Sequence, residues 1–233
     1  MRTVSGWARR VQGLARARST PLASVRPLAA GRRPLLTERL GAQLRGGVVL
    51  DQVDGTTCGS AVLVAMAAWA DPAEVERLDG DEARPVVNGS AAALVRTGFG
   101  ARYDARQRQV HRESTRFWPQ ALGTTPWGMV AWLRRHLPAA GPYRVRLVDD
   151  TDAGDVAALL DAVGVALRAA RPVPLLVGAF LPRHYVLATG VRDGRWTVYE
   201  PTSAELREVD PADVGAHRLG LGSPRLHAAL VPR

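Results

Sequence analysis

A short polar segment, Asp51-Gln52-Val53-Asp54-Gly55-Thr56-Thr57-Cys58-Gly59-Ser60, holds the only cysteine of this 233-residue chain, and an apolar run follows it directly. We predict a loop over 50–57 and a helix over 58–69, which Thr56 or Thr57 caps. A cysteine at a helix start lies beside unpaired backbone N–H groups and the positive end of the helix dipole, and both favour the thiolate. Because the thiolate is the reactive form, Cys58 is a candidate nucleophile.

Gln52 precedes Cys58 by six residues. Its side-chain amide could donate a hydrogen bond to a developing oxyanion, together with the backbone N–H of Cys58. A lone cysteine, however, is more often a small buried apolar residue than a nucleophile. The catalytic interpretation therefore requires a histidine that can act as a base.

One of the five histidines has the right setting. His184 opens a strand-like run, 184–191, and the turn signal Asp193-Gly194 joins this run to a second one, 195–200. Glu200 ends the second run, where its carboxylate could orient the His184 ring. An edge histidine without a function is the alternative. The other histidines lie in segments that we expect at the surface: His111, His136, His217 and His227.

The length of the hairpin loop decides whether the two side chains share a face of the sheet, because strand side chains alternate between faces. A two-residue loop would turn Glu200 away from His184. A three-residue loop, 192–194, would place Glu200 opposite Val186 and on the His184 face. Gly194 suits the left-handed third position of the longer loop, so we predict that register.

The rest of the pattern places helices before strands. Residues 71–120 form a polar stretch with short helical patches, Thr125 caps a further helix, and another helix is predicted over 155–170. Helices followed by clustered antiparallel strands indicate an α+β fold. The cysteine helix and the histidine strand would then meet across a cleft. The predicted strands are 143–148, 173–180, 184–191, 195–200 and 226–231.

The order of these motifs resembles the papain-like cysteine peptidases, and most closely the bacterial bacteriocin-leader-processing, double-glycine-type peptidases. That family shows a Gln, a Cys-Gly that opens an apolar helix, a distant His that starts a strand, a Gly-containing turn and an Asp-Pro. The Gly-Thr-Thr-Pro at 123–126 is also similar to the middle of such domains. The resemblance covers about residues 48–215, and the matching positions are Gln52, Cys58-Gly59, His184, Asp193-Gly194 and Glu200-Pro201.

The resemblance implies a papain-like fold over residues 47–233 and a cysteine peptidase or amidase-type acyl-transfer enzyme. Cys58 would be the nucleophile, His184 the base, Glu200 the orienting acid and Gln52 the oxyanion donor. The expected substrate is a peptide or an amide, and no cofactor or metal is expected. The chain has Glu200 where the family usually has Asp, so a catalytically silent papain-like domain that binds a peptide or leader is an alternative.

The formal net charge of +9 lies entirely in residues 1–46, which hold ten arginines and one acidic residue, Glu38. We expect this segment to be a basic, disordered extension that does not pack on the body, apart from a short helix near Trp7. Binding of nucleic acid or an anionic membrane through this extension is a third hypothesis. The neutral charge balance of the remainder argues against a nucleic-acid enzyme.

The chain contains no apolar run near the ~18 residues that a membrane span needs. It also lacks a convincing signal peptide, and one cysteine cannot form an intramolecular disulfide, so we expect a cytoplasmic protein. All 31 basic residues are arginines, and this bias is typical of GC-rich bacterial genomes.

Overall fold

The computed structural model describes residues 2–14, 34–80 and 89–233, which form a mixed α+β fold with helices packed on an antiparallel sheet. The helices are α1 (Val4–Leu14), α2 (Cys58–Ala70), α3 (Pro72–Asp79), α4 (Gly89–Ser114), α5 (Pro126–His136), α6 (Ala153–Arg168) and α7 (Ala212–Gly215). The strands are β1 (Gly41–Ala42), β2 (Leu44–Arg45), β3 (Val48–Val49), β4 (Tyr143–Leu147), β5 (Val173–Gly178), β6 (Pro182–Arg192), β7 (Arg195–Glu200), β8 (Glu205–Val209) and β9 (Arg225–Pro232).

Seven strands form the main sheet, in the order β1-β8-β7-β6-β5-β9-β4, and β2 pairs with β3 separately. Apolar cores cover both faces of this sheet. Alternate residues of β6 divide between them: Tyr185 and Leu187 join the core that contains α2, α4 and α5, whereas Val186 and Ala188 join the core under α6. Burial on both faces explains why every residue of β5 is buried.

Helix α2 is apolar on every side, and all of its residues from Cys58 to Ala68 are buried. It packs against α3, α4 and α5 and against strand β6. A helix that is apolar all round is stable only inside a protein, where every face meets other apolar groups. The surrounding elements therefore fix α2 from all directions, and only its last two residues, Trp69 and Ala70, are partly exposed.

The α+β prediction is confirmed, and the predicted helices and strands lie within three residues of the observed ones. Three predictions about local backbone structure were wrong. Residues 89–114 form the long helix α4 instead of short patches. The Thr57 side chain does not cap α2. The β6–β7 loop has two residues, Asp193 and Gly194, both at positive φ, because Arg192 pairs with Arg195.

A β-bulge nevertheless produces the register that we predicted for Glu200. Gly190 pairs with Thr197, but Ala188 pairs with Val198, so Thr189 is an extra residue in β6. Leu187 pairs with Tyr199, so continuing this register by one residue places Glu200 opposite Val186. Glu200 then lies on the same face of the sheet as His184. The Thr189 hydroxyl donates to the carbonyl of Thr197 at 3.1 Å and also contacts its hydroxyl at 3.0 Å, and these bonds hold the bulge in place.

The described parts of residues 1–46 pack on the body, which differs from the disordered extension that we expected. Arg2 and Arg10 pair with Asp149, and Arg9 pairs with Asp155 beside the start of α6. Residues 34–46 also contribute buried side chains, and β1 extends the main sheet. The basic side chains thus find carboxylate partners within the chain. Residues 15–33 lie outside the described residues, and the domain boundary at residue 46 stays a prediction.

Buried contacts also hold α1. The Ser5 hydroxyl lies 3.1 Å from Nδ1 of His227, which is fully buried, and Nε2 of that ring lies 3.2 Å from the carbonyl of Ala179. Val4 donates its backbone N–H to the carbonyl of Phe180. The N-terminal helix therefore contacts the loop between β5 and β6. None of the helices in the described residues is long and apolar enough to cross a membrane.

Asp149→Asn should destabilise the protein, because it removes the charge that binds Arg2 and Arg10. The Asp149 side chain is 3% exposed, so we expect a loss of about 1–3 kcal/mol in the free energy of unfolding. Burial raises the pKa of Asp149, but hydrogen bonds from Thr151 and Arg2 lower it overall. The difference from wild type should therefore be complete above pH 4 and shrink as the pH falls further.

Chemical denaturation at pH 7 and pH 2.5 measures this effect. Asp161→Asn, an exposed position on α6, is the matched control and should change stability by less than ~0.5 kcal/mol. Limited proteolysis within residues 2–14 should also become faster in Asp149→Asn. Equal stability of the two variants at pH 7 would refute a structural role for the α1 ion pairs.

Candidate functional site

Cys58 is the first residue of α2, as its sequence context predicts, and the helix approaches β6 closely at the next residue. A Cβ on Gly59 would lie 3.2 Å from the Thr124 side chain and 3.3 Å from the Tyr185 ring. These distances are tighter than ordinary van der Waals contact. Glycine at this position therefore lets the Cys58 end of the helix lie directly against the histidine strand.

The loop before α2 is closed by its own hydrogen bonds. Asp54 accepts from the backbone N–H and the hydroxyl of Thr56, at 2.8 and 2.7 Å. The Thr57 hydroxyl accepts from the N–H of Asp54 and donates to its carbonyl, so it does not bind the first turn of α2. The Thr57 side chain therefore does not cap the backbone N–H groups at the start of α2.

His184 connects the cysteine helix to an acid. Its Nε2 lies 2.6 Å from Oε1 of Glu200, and both side chains are largely buried. Burial lowers the pKa of His184, but hydrogen bonding with Cys58 and with Glu200 raises it to about 9. Since Nε2 is bonded to Glu200, Nδ1 is the ring nitrogen left for Cys58. The structure thus brings Cys58, His184 and Glu200 together.

Glu200 is held by the turn that follows it as well as by the histidine. Oε1 accepts the backbone N–H of Thr202 and Oε2 accepts that of Ser203, both at 2.8 Å. Burial raises the pKa of Glu200, but the bond to His184 and these two N–H groups lower it well below the usual range. Glu200 therefore stays ionised at neutral pH and favours the imidazolium form of His184. Sequence reasoning missed Thr202 and Ser203.

Gln52 lies beside this turn. Its backbone N–H donates to the carbonyl of Pro201 at 2.8 Å, and its Oε1 accepts from the Thr202 hydroxyl at 3.3 Å. Its Nε2 donates to the carbonyl of Asp54 at 2.8 Å, which uses one of the two amide hydrogens. The second hydrogen remains for another acceptor. Gln52 is thus tied to both the Glu200 turn and the Cys58 loop, and its role as an oxyanion donor stays a prediction.

Buried groups behind Gln52 fix its backbone. The Gln107 amide of α4 donates to the carbonyl of Asp51 at 2.9 Å, and the Tyr199 hydroxyl donates to the carbonyl of Leu50. Gln107 and Tyr199 are fully buried. Gln107 and Tyr199 are distant in sequence from residues 50 and 51, so no local motif reveals these two bonds.

A cleft of about 640 Å³ opens beside Cys58. One wall is the 121–127 segment, which contains the Gly-Thr-Thr-Pro motif, and the other is the start of β6 from Leu181 to Tyr185. Large apolar side chains at its edge are exposed to solvent. Such an open apolar surface beside Cys58 could bind an extended ligand. The exposed apolar lining residues are Trp118, Leu122, Trp127 and Leu181.

The other four histidines do not line this cleft, and two of them contradict the surface interpretation. His111 lies within α4 and is buried, and His227 is fully buried beneath α1. His136 ends α5 and stacks on Trp132. His217 contacts buried Asp150. Among the described residues, no group of three or more side chains could hold a metal ion.

The ion pair of His184 and Glu200 should give the protein a defined pH dependence of stability. The raised pKa of His184 means that its contribution is complete below 6.5 and is lost as the pH rises through about 9. The lowered pKa of Glu200 means that its contribution is complete above 4.5 and is lost in acid. The stability gap between wild type and Glu200→Gln should therefore be largest near pH 5.5.

Denaturation of both proteins at pH 5.5 and pH 10 tests this expectation, with Glu208→Gln on the neighbouring strand as the control. NMR titration of the imidazole should place the pKa of His184 near 9 in wild type and at a lower value in Glu200→Gln, in which only the contribution of Cys58 remains. A wild-type His184 that titrates near 6.5 would show that neither neighbour stabilises its charge.

Comparison with known protein families finds no matching family, and comparison with curated proteins finds no similar sequence.

Proposed function

We propose that the protein is a cysteine peptidase or amidase-type acyl-transfer enzyme with a papain-like arrangement of its site. The observation that carries the proposal is the position of His184, which hydrogen-bonds Glu200 at 2.6 Å through Nε2 and interacts with Cys58. A nucleophile, a base and an orienting acid in contact form the standard arrangement for covalent acyl transfer. The motif order in the sequence supports the same proposal.

Because the site favours the imidazolium form of His184, the proton of the Cys58 thiol passes to Nδ1 before the reaction, and the sulfur then attacks the carbonyl carbon of a peptide or amide. A C–S bond forms, and the carbonyl oxygen becomes an oxyanion. The proton on His184 then passes to the leaving nitrogen as the C–N bond breaks, which leaves an acyl-enzyme. Water or another nucleophile, deprotonated by His184, releases the acyl group and restores the thiol.

Glu200 acts through the ring of His184. Its carboxylate holds the tautomer and stabilises the imidazolium that forms when the thiol proton moves. The N–H groups of Thr202 and Ser203 keep the carboxylate ionised and fixed. The extra methylene of Glu relative to the Asp of the resembling family is accommodated by this turn, so we propose that Glu200 performs the same task.

The oxyanion would be bound by the backbone N–H of Cys58 and the free amide hydrogen of Gln52. The Thr202 and Asp54 contacts of Gln52 fix the orientation of its amide before the substrate arrives. A donor that is already oriented stabilises the developing charge without reorganisation.

Alkylation of Cys58 tests the nucleophile. The chain has one cysteine, so mass spectrometry of the intact protein reports on this thiol alone. At pH 7, iodoacetamide should modify wild type at least ~10-fold faster than free cysteine, because His184 takes the thiol proton. His184→Ala should return the rate to that of free cysteine or below. A wild-type rate no faster than free cysteine would favour a catalytically silent peptide-binding domain.

Turnover tests the full assignment. Wild type should cleave peptides in a proteome-derived mixture, detected as new termini by mass spectrometry, and Cys58→Ala should abolish this cleavage. Gln52→Ala should lower turnover ~10²–10³-fold and leave the iodoacetamide rate unchanged, because alkylation forms no oxyanion. Gln109→Ala, an exposed position on α4, is the control. Equal losses of turnover and alkylation in Gln52→Ala would show a structural role instead.

A further inference from the structure

We propose that Arg183 and Tyr185, the two neighbours of His184 on β6, form a subsite that binds a carboxylate of the substrate. This inference rests on the proposed function, because it assigns an acidic substrate to the same site. Arg183 is the extra residue of a β-bulge, because Val177 pairs with His184 and Gly178 pairs with Pro182. A bulge re-aims the side chain of its extra residue, and here Arg183 and Tyr185 both line one cleft. Both residues line the cleft that also contains Cys58.

Tyr185 carries an unused hydrogen-bonding group. Its side chain is 3% exposed, and its hydroxyl has no hydrogen-bond partner within the described residues. A buried hydroxyl without a partner costs stability, so its presence at a cleft points to a ligand that completes it. Burial and the nearby charge of Cys58 raise the pKa of Tyr185 well above 10, so the hydroxyl remains protonated and can donate.

Arg183 supplies the charge. It is exposed, and across the described ranges it is the only charged residue that lines the cleft and has no carboxylate partner there. On the cysteine loop, one carboxylate oxygen of Asp54 already accepts two bonds from Thr56. An arginine that lacks an internal partner, beside apolar walls, attracts an anionic group to the reacting sulfur.

The backbone holds this pair firmly. Gly178 pairs with Pro182 across a bulge, and a Cβ at Gly178 would lie only 2.0 Å from the carbonyl of Leu181. The loop that leads into β6 therefore follows one tight path. Tyr185 packs against Gly59 at the start of α2, so the subsite is fixed relative to Cys58.

Competing alkylation by an anionic reagent and its neutral counterpart tests the subsite. Iodoacetate and iodoacetamide both react when the sulfur displaces iodide, and they differ in one charge. The ratio of their rates with Cys58 removes effects that both reagents share, including those on thiol reactivity. Arg183→Ala should lower the iodoacetate-to-iodoacetamide ratio about threefold to tenfold, and salt should reduce the wild-type ratio toward that of the variant.

Tyr185→Phe keeps the ring and its packing and removes only the hydroxyl, and we expect it to lower the same ratio about twofold to fivefold. Arg135→Ala is the matched charge control, since Arg135 is exposed near the end of α5, about 12 Å along the helix from Trp127 at the cleft. The control should leave the ratio unchanged. An unchanged ratio in Arg183→Ala or in Tyr185→Phe overturns the two-residue subsite.

Three capped peptides identify the source of the carboxylate by how well they protect Cys58 from iodoacetamide. Acetyl-Leu-Glu-Leu-amide offers a side-chain carboxylate, acetyl-Leu-Gln-Leu with a free C-terminus offers a terminal one, and acetyl-Leu-Gln-Leu-amide offers neither. In wild type, we expect at least one acidic peptide to protect Cys58 more than threefold better than the neutral peptide. In Arg183→Ala, we expect the acidic and neutral peptides to protect equally. Equal protection by all three in wild type overturns the proposal.

These outcomes separate the subsite from the catalytic assignment. An unactivated thiol still reacts slowly with both reagents, so the ratio can be measured even if wild-type Cys58 is no faster than free cysteine. In that case, a ratio that depends on Arg183 and Tyr185 would retain the carboxylate subsite on a silent domain. A fast thiol with a ratio independent of both residues would retain the enzyme and remove its preference for acidic substrates.

Discussion

The packing of α2 on β6 determines everything else at the site. The contact is made by Gly59 and Tyr185, where the absence of a Cβ allows the helix and the strand to approach closely. Cys58 precedes the glycine on the helix, and His184 precedes the tyrosine on the strand. Because α2 is buried on all sides, it has no direction in which to shift, and the distance between Cys58 and His184 is set by the core.

The electrostatics of the site depend on the Glu200 carboxylate, both oxygens of which have hydrogen-bond partners. Glu200 accepts bonds from the histidine ring and from two backbone N–H groups of its own turn. Buried charges are costly unless they are paired and hydrogen-bonded, and here every oxygen has a partner. A glutamate can reach both the ring and the turn that begins at Pro201. The longer side chain is therefore compatible with the geometry that an aspartate would provide in the resembling family.

The sequence predicted the parts of the fold whose apolar periodicity is strong. The cysteine helix, α5, α6 and the strands around His184 all carry such patterns. Helix α4 was missed because its buried stripe includes polar residues: Gln107 and His111 are buried together with Tyr103 and Val110. Periodicity based on apolar residues does not detect a stripe in which every second member is polar.

Other features were hidden because they depend on long-range contacts. Thr3 and Ser5 look like surface residues of a basic tail, yet both are buried, and Ser5 contacts His227 more than 200 residues away. At the site, the pairing of His184 with Glu200 was predicted on the wrong loop length, and the compensating bulge leaves no local signal. Gln107 of α4 and Tyr199 of β7 bond to the segment that precedes Gln52, although both elements are distant from it in sequence.

Because of the bulge at Thr189, whether His184 and Glu200 share a face of the sheet depends on whether the number of residues between them is odd or even. In an unbroken hairpin with a two-residue turn, sixteen positions of separation would set these residues on opposite faces, and the extra residue restores them to one. Length changes in this hairpin can therefore accumulate in pairs without disturbing the acid. A change of one residue has to be accompanied by the gain or loss of a bulge. In an alignment of distant homologues, the number of residues between the histidine and a candidate acid should therefore be compared before that acid is matched to Glu200.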